Sequence, residues 1–184
     1  MADRFCAQIT IGGRLTRRRL PRFLKAIADS RGSLEWGDAP FQPASADELT
    51  AALSAGRLVL CDDQARFGEF ENLEAACRRL HLAYTRHSES RYEFEAELVD
   101  WRPGMREPIV RMCCSNSQNV LVWADFVQEA LDHLKARRYR KALTVLQWLL
   151  PTIPELPPLE IVPQIRNPAL SAGRRRPCRP SKPT

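Results

Sequence analysis

No long apolar run occurs in this sequence. Nothing in its 184 residues approaches the ~18 apolar residues of a spanning helix, so no membrane segment is expected. Met1-Ala-Asp-Arg leads into a short mixed segment without the apolar stretch of a signal peptide, which points to the cytosol. Cys6, Cys61, Cys77, Cys113, Cys114 and Cys178 have no paired spacing and read as reduced thiols. There is no Gly-x-Gly-x-x-Gly or Walker pattern, so Gly12-Gly13 reads as a turn rather than a phosphate cradle. Cys77 and His81 share a helix face, and His87 and Cys61 are also present. Together they match no specific zinc framework, so neither a metal nor a cofactor is expected.

What is present suits one globular domain with an extension. The chain is 44% apolar and 27% charged, with a formal net charge of +6. Residues 1–150 hold 22 Lys and Arg against 20 Asp and Glu, while residues 151–184 hold 6 against 2. The body is close to neutral and has no need of a polyanion. The basic excess sits in the last fifth.

Residues 4–11 alternate Phe5, Ala7, Ile9 and Ile11 against Arg4, Cys6, Gln8 and Thr10, a half-buried strand ending at Gly12-Gly13. Leu20, Phe23, Leu24 and Ile27 recur at helical spacing to about Asp29, with Thr16 as cap and Pro21 in the first turn. A short strand is expected at 33–36. Ser45 and Glu48 form a capping box for the next helix. Residues 57–61 make a strand, with 62–69 a polar loop or bulged continuation. Asn72 caps a helix carrying Leu73, Ala76, Cys77 and Leu80, followed by a strand at 83–87. Residues 92–98 alternate Tyr92, Phe94, Ala96 and Leu98 against Glu93, Glu95 and Glu97, which predicts a strand with an acidic outer face. Pro103 and Gly104 occupy the two centres of a type II turn, and 109–112 return as the hairpin partner.

Residues 125–136 and 139–150 are two amphipathic helices jointed at Arg137-Arg138. The run from Ala130-Leu131 through Arg138-Tyr139 to Ala142-Leu143 resembles the inner part of one tetratricopeptide repeat. Such arrays need about three repeats, so the pair is read as a helical hairpin docked on the sheet. Nine of the 14 prolines lie in residues 151–184. Pro151, Pro154, Pro157, Pro158 and Pro163 forbid a regular helix, leaving an extended segment along the body. From Asn167 onward a disordered basic tail is expected.

Three candidate surfaces follow. Glu93, Glu95 and Glu97, with Arg102 beside them, form an acidic ridge suited to a protein partner. Arg17, Arg18 and Arg19, with Arg174, Arg175, Arg176 and Arg179 of the tail, suit weak, sequence-indifferent contact with nucleic acid. Asp62 and Asp63 with Glu95 and Glu97 would make a metal-dependent hydrolase or nuclease site if the 57–61 strand pairs with the ridge. Glu95-x-Glu97 lacks the Lys of the restriction-enzyme pattern, so no catalytic residue is assigned.

Three stretches carry a resemblance: Ser33-Leu-Glu-Trp-Gly-Asp-Ala-Pro-Phe41, Leu60-Cys-Asp-Asp-Gln-Ala-Arg-Phe-Gly-Glu-Phe-Glu-Asn-Leu-Glu74, and Tyr84-Thr-Arg-His-Ser-Glu-Ser-Arg-Tyr-Glu-Phe94 continuing to Arg102-Pro-Gly-Met105. They resemble a group of small bacterial proteins without known activity, over about residues 5–112. The resemblance implies one fold unit and a bacterial cytosolic setting. The expected architecture is α+β: a ferredoxin-like open antiparallel sheet with helices on one face over 1–114, a helical hairpin over 120–150, and a Pro-rich segment with a disordered basic tail over 151–184. The expected role is a non-enzymatic cytoplasmic protein-interaction module with an unknown protein partner and no membrane contact.

Overall fold

The computed structural model describes residues 3–91, 93–115 and 117–163. Its spine is β1 (Arg4–Thr16). On one side β1 pairs antiparallel with β2 (Leu58–Arg66). On the other it pairs with β3 (Ala83–Ser88), followed by β4 (Glu97–Trp101) and β5 (Ile109–Met112), in the order β2-β1-β3-β4-β5. A sixth strand, β6 (Leu159–Val162), joins the end of β1 in parallel. The α+β class read from the sequence therefore holds, as an open and mainly antiparallel sheet. Relative to a ferredoxin-like unit, β1 here pairs directly with both β2 and β3.

Alternation in β1 sorts the two faces of the sheet. Phe5, Ala7, Ile9, Ile11 and Leu15 are all buried. Helices α1 (Leu20–Ser30), α2 (Ala46–Ala51) and α3 (Glu71–Leu80) cover them, adding Phe23, Ile27, Leu49, Leu73 and Cys77 to one apolar cluster. Full burial of such side chains is worth ~1.5–3 kcal/mol each. Ser45 caps α2 as its spacing predicts, accepting a hydrogen bond from the Glu48 amide at 3.1 Å. The Arg102–Met105 turn also forms, with the Met105 amide donating to the Arg102 carbonyl at 3.0 Å and Gly104 at φ 101°.

Several local expectations are corrected. β1 does not stop at Gly12-Gly13 but runs to Thr16, because β6 supplies a ladder there. Thr16 closes that strand instead of capping α1, whose N-cap is Arg19 without a side-chain bond. The N-cap of α3 is Phe70, not Asn72, and the Phe70 amide donates to Glu74 Oε1 at 3.2 Å. Residues 33–36 make only a bridge between Ser33 and Cys61. β2 continues to Arg66 through a bulge, with Asp63 and Gln64 standing against the single residue Cys6. The strand expected over 92–98 begins only at Glu97. β3 ends at Ser88, which pairs with Glu97, so the earlier residues have no ladder to join. The chain instead reverses at Arg91 and Phe94, whose backbones bond to each other in both directions at 2.9 Å.

The Pro-rich segment is extended, as its composition requires, and it straps the sheet. Arg102 Nε donates to the Pro154 carbonyl at 2.8 Å, Leu156 is buried, and Gly13 donates its amide to the Pro158 carbonyl at 3.0 Å. Gly12 permits this approach, since a Cβ there would stand 1.8 Å from the Pro157 carbonyl oxygen. The expected disorder from Asn167 onward lies outside the described residues.

The last helices, α4 (Ala124–Lys135) and α5 (Tyr139–Leu149), form an antiparallel hairpin. They contact chiefly each other. The open end of the hairpin faces β5 across a groove of about 520 Å³ lined by Val110, Met112, Leu121, Trp123, Trp148 and Pro151. Among the described residues no helix is long and apolar enough to cross a membrane.

Gly12→Ala tests the strap. It should destabilise the protein by ~1–3 kcal/mol in urea titration, because backbone rather than a flexible side chain must move. Amide exchange at Gly13 and Arg17, which donate to Pro158 and Val162, should accelerate ahead of the β3 amides. Unchanged exchange at both would show that the strap does not depend on Gly12.

Candidate functional site

The acidic ridge separates into unlike residues. Glu93 and Glu95 are exposed beside the 91–94 reversal, and Tyr92 lies outside the described residues. Phe94 is half-buried, its ring 5.8 Å from Phe5 and 6.1 Å from Phe67. Glu97 is drawn inward and pairs with Arg86 at 3.2 Å. Only Glu93 and Glu95 remain free to meet a partner.

Arg86 lies on β3 with its side chain in the helix-covered face, in register with Ile9. Its Nε stands 3.0 Å from Glu74 of α3, and its Nη1 donates to the Gly68 carbonyl at 2.7 Å and to Ser88 at 3.2 Å. Glu74 also accepts from the Tyr84 hydroxyl at 3.2 Å. Burial, reinforced by the Glu74 charge, pushes the Tyr84 pKa up, so the hydroxyl keeps the proton it donates. The sequence offered one faint signal for this bolt: Glu74 flanks the apolar stripe of α3 formed by Leu73, Ala76, Cys77 and Leu80.

A second network lies on the other face of the sheet. Asp100 accepts from Thr85 at 2.7 Å and pairs with Arg102 at 3.1 Å and with Arg111. Arg102 is buried, and besides Pro154 it donates to the carbonyls of Tyr84 at 2.6 Å and Trp101 at 3.0 Å. Burial lowers its guanidinium pKa, opposed by Asp100. The side chain is thus committed to tying the strap to β3 and β4.

The carboxylates proposed for metal chemistry do not meet. Asp62 and Asp63 lie on β2, whereas Glu95 and Glu97 lie at β4, with β1 and β3 between. Asp62 and Asp63 instead accept the amides of Gln64 at 2.8 Å and Gly37 at 2.9 Å. Among the described residues, no group of three or more His, Cys, Asp or Glu is placed to hold a metal. Cys77 is fully buried, and burial pushes its thiol pKa up, while His81 is the exposed left-handed C-cap of α3. Cys61 and His87 both oppose Gln8, one from each side, so a strand separates them.

Two surfaces remain unspent. The first is a groove of about 590 Å³ between α1 and α3, lined by Arg18, Arg19, Arg22, Lys25 and Arg79. Arg19 donates to the Leu80 carbonyl at 3.3 Å, and Lys25 pairs with Asp29 at 2.7 Å. The side chains of Arg18, Arg22 and Arg79 show no partner among the described residues. Arg17 is exposed but does not line the groove. Arg174, Arg175, Arg176 and Arg179 lie outside the described residues.

The second surface lies on the hairpin, and the sequence reading of a hairpin docked on the sheet did not single it out. The two helices meet through Ala130 and Ala142, each almost fully buried, and through Phe126 and Trp148, 4.9 Å apart. On α4, the large apolar residues Trp123, Val127, Leu131 and Leu134 face water. On α5 and its C-cap, Tyr139, Leu143, Leu146 and Leu150 do the same, while the exposed Trp148 is turned to the other side of the helix. Both sets recur at helical spacing, so each is a stripe. Leu131 follows Ala130 and Leu143 follows Ala142, a rotation of ~100° in each helix. In an antiparallel pair, equal rotations away from the contact line turn both stripes to the same side. The hairpin therefore carries one continuous apolar face. No protein-family model matches the chain, and no curated protein or solved structure does so either.

Glu74→Gln leaves Arg86 buried with half its compensation and should cost ~3–5 kcal/mol in denaturant unfolding. Glu97→Gln acts on a half-exposed partner and should cost less than ~1 kcal/mol. The double change Glu74→Leu with Arg86→Met should recover most of the first loss. Equal losses for the two single variants would remove Glu74 from its central position.

Proposed function

We propose that this protein is a non-enzymatic interaction module of a bacterial cytosol, and that its contact surface is the apolar face of α4 and α5. The observation that carries this reading is the exposure of both stripes on one side of the hairpin. A monomeric soluble protein rarely shows a contiguous apolar patch beyond ~300–600 Å², and larger ones mark contact sites. The sheet half supplies a rigid base, since its buried charges are paired. Glu93 and Glu95 remain as rim charges rather than the centre of the site. In affinity capture from host extract, at least one species retained by the wild type should be lost with Leu143→Glu. Identical captured sets would refute the reading.

A second reading, association with nucleic acid, is favoured by the groove between α1 and α3. Three unengaged guanidiniums beside Lys25 suit successive phosphates. If the groove is the site, Arg22→Glu with Arg79→Glu should weaken binding to a DNA duplex and lower the slope of log affinity against log salt by roughly 2. Ending the chain at residue 166 should do less. Binding lost with the tail but kept in the double variant would move the site to the tail.

A further inference from the structure

We infer that the apolar face of the hairpin is covered by the same face of a second copy of this chain, two hairpins closing into a four-helix bundle about a two-fold axis. This rests on the reading of that face as a protein contact surface and names its occupant.

Shape is the first argument. Leu131 and Leu143 are rotated outward from the line where α4 and α5 touch, and they are 44% and 55% exposed. A single partner helix lying between the stripes would cover their inner members and leave these two leucines at its margins. A second two-helix layer covers both. Antiparallel helix pairs joined by a short loop, as α4 and α5 are, are the units from which such bundles are built. Ala130 and Ala142 hold α4 and α5 close, which keeps the layer flat enough to receive another.

Area is the second argument. Taking ~150–250 Å² for an aromatic side chain and proportionally less for leucine and valine, the two stripes offer roughly 600 Å². The face continues past Trp123 into the groove at β5, where Val110, Leu121 and Val122 are 59%, 48% and 42% exposed. With these the total is roughly 800 Å², about the contribution of each partner to a standard interface. A two-fold contact also needs a patch that complements itself, and a uniformly apolar face does so.

Charge selects the orientation. Lys135, Arg137, Arg138, Arg140 and Lys141 crowd the closed tip of the hairpin against the single carboxylate Asp132, which pairs with Lys135 at 3.3 Å. Hairpins running the same way would stack two basic tips. Running oppositely, the two basic tips are held at opposite ends of the bundle, so repulsion between them selects this orientation. Leu134 and Tyr139 of one copy then meet Trp123 and Leu150 of the other.

The test uses the full chain in sedimentation equilibrium over ~1–100 µM, with thermal unfolding at both ends of that range. The expected mass is twice the 21.0 kDa of one chain, with an unfolding midpoint that rises with concentration. Leu131→Glu and Leu143→Glu should each raise the dissociation constant at least about a hundredfold while leaving the circular dichroism spectrum intact. A wild-type chain that stays monomeric throughout overturns the inference, as do folded Glu variants that remain dimeric. A monomeric wild type whose Leu143→Glu variant loses a different captured protein rejects self-association and leaves the interaction reading standing. A monomeric wild type whose variant captures an unchanged set rejects both.

Discussion

One buried ion pair, Glu74 with Arg86, is the constraint around which the sheet half is organised. Arg86 occupies a position on β3 where the pattern of the neighbouring strand calls for an apolar side chain, since its cross-strand partner is Ile9. A guanidinium in that place costs several kcal/mol unless its donors are met. The charge is engaged from three directions: it is ion-paired to Glu74 of α3, donates to the Gly68 carbonyl in the turn before it, and pairs with Glu97 at the start of β4. The one side chain thereby ties α3, the turn before it and the start of β4 together. Apolar burial drives the sheet and helices together, but it tolerates small slides that this pair does not.

Charge and apolar surface are distributed unequally between the two halves of the chain. In the sheet half, inward-pointing charges are paired, and Asp100 alone engages two arginines. In the hairpin, the side chains that would ordinarily form a core face water. A residue such as Leu143, 55% exposed, gains nothing for an isolated chain. The imbalance separates a platform whose buried charges are paired from a segment whose packing is incomplete, and it directs functional attention to the hairpin rather than to the alternating glutamates of residues 93–97.

Much of the fold was legible because some signals are local. The alternation of Phe5, Ala7, Ile9 and Ile11 reports its own face, Ser45 reports its own cap, and Pro103-Gly104 its own turn. The helices of the hairpin were legible for the same reason. The failures concern pairing at a distance. Nothing near Tyr92 tells that β3 ends at Ser88, so a sound alternation lacked a strand to join. Nothing near Gly12 tells that residues beyond Pro157 return to extend β1. Arg102 looked like a surface charge beside the acidic run, and its role depends on the Pro154 carbonyl, far along the chain. The candidate surfaces shared this limit: Arg18 and Arg19 were visible, but Arg22, Lys25 and Arg79 join them only because α1 and α3 pack side by side. The two stripes were visible too, but which of them finds a neighbour within the chain is a tertiary matter.

The parallel pairing of β6 with β1 imposes an order of events during synthesis. The first strand of the protein cannot complete its ladder until Leu159–Val162 have left the ribosome, after the whole hairpin. Contacts of such wide sequence separation form late, because the intervening chain must be closed into a loop first. The hairpin, whose contacts are local, is ready earlier. A nascent chain therefore presents its apolar helical face to the surroundings while the strap that seals the sheet is still unmade. Chains translated side by side on one message have that interval in which to meet, before either has finished folding.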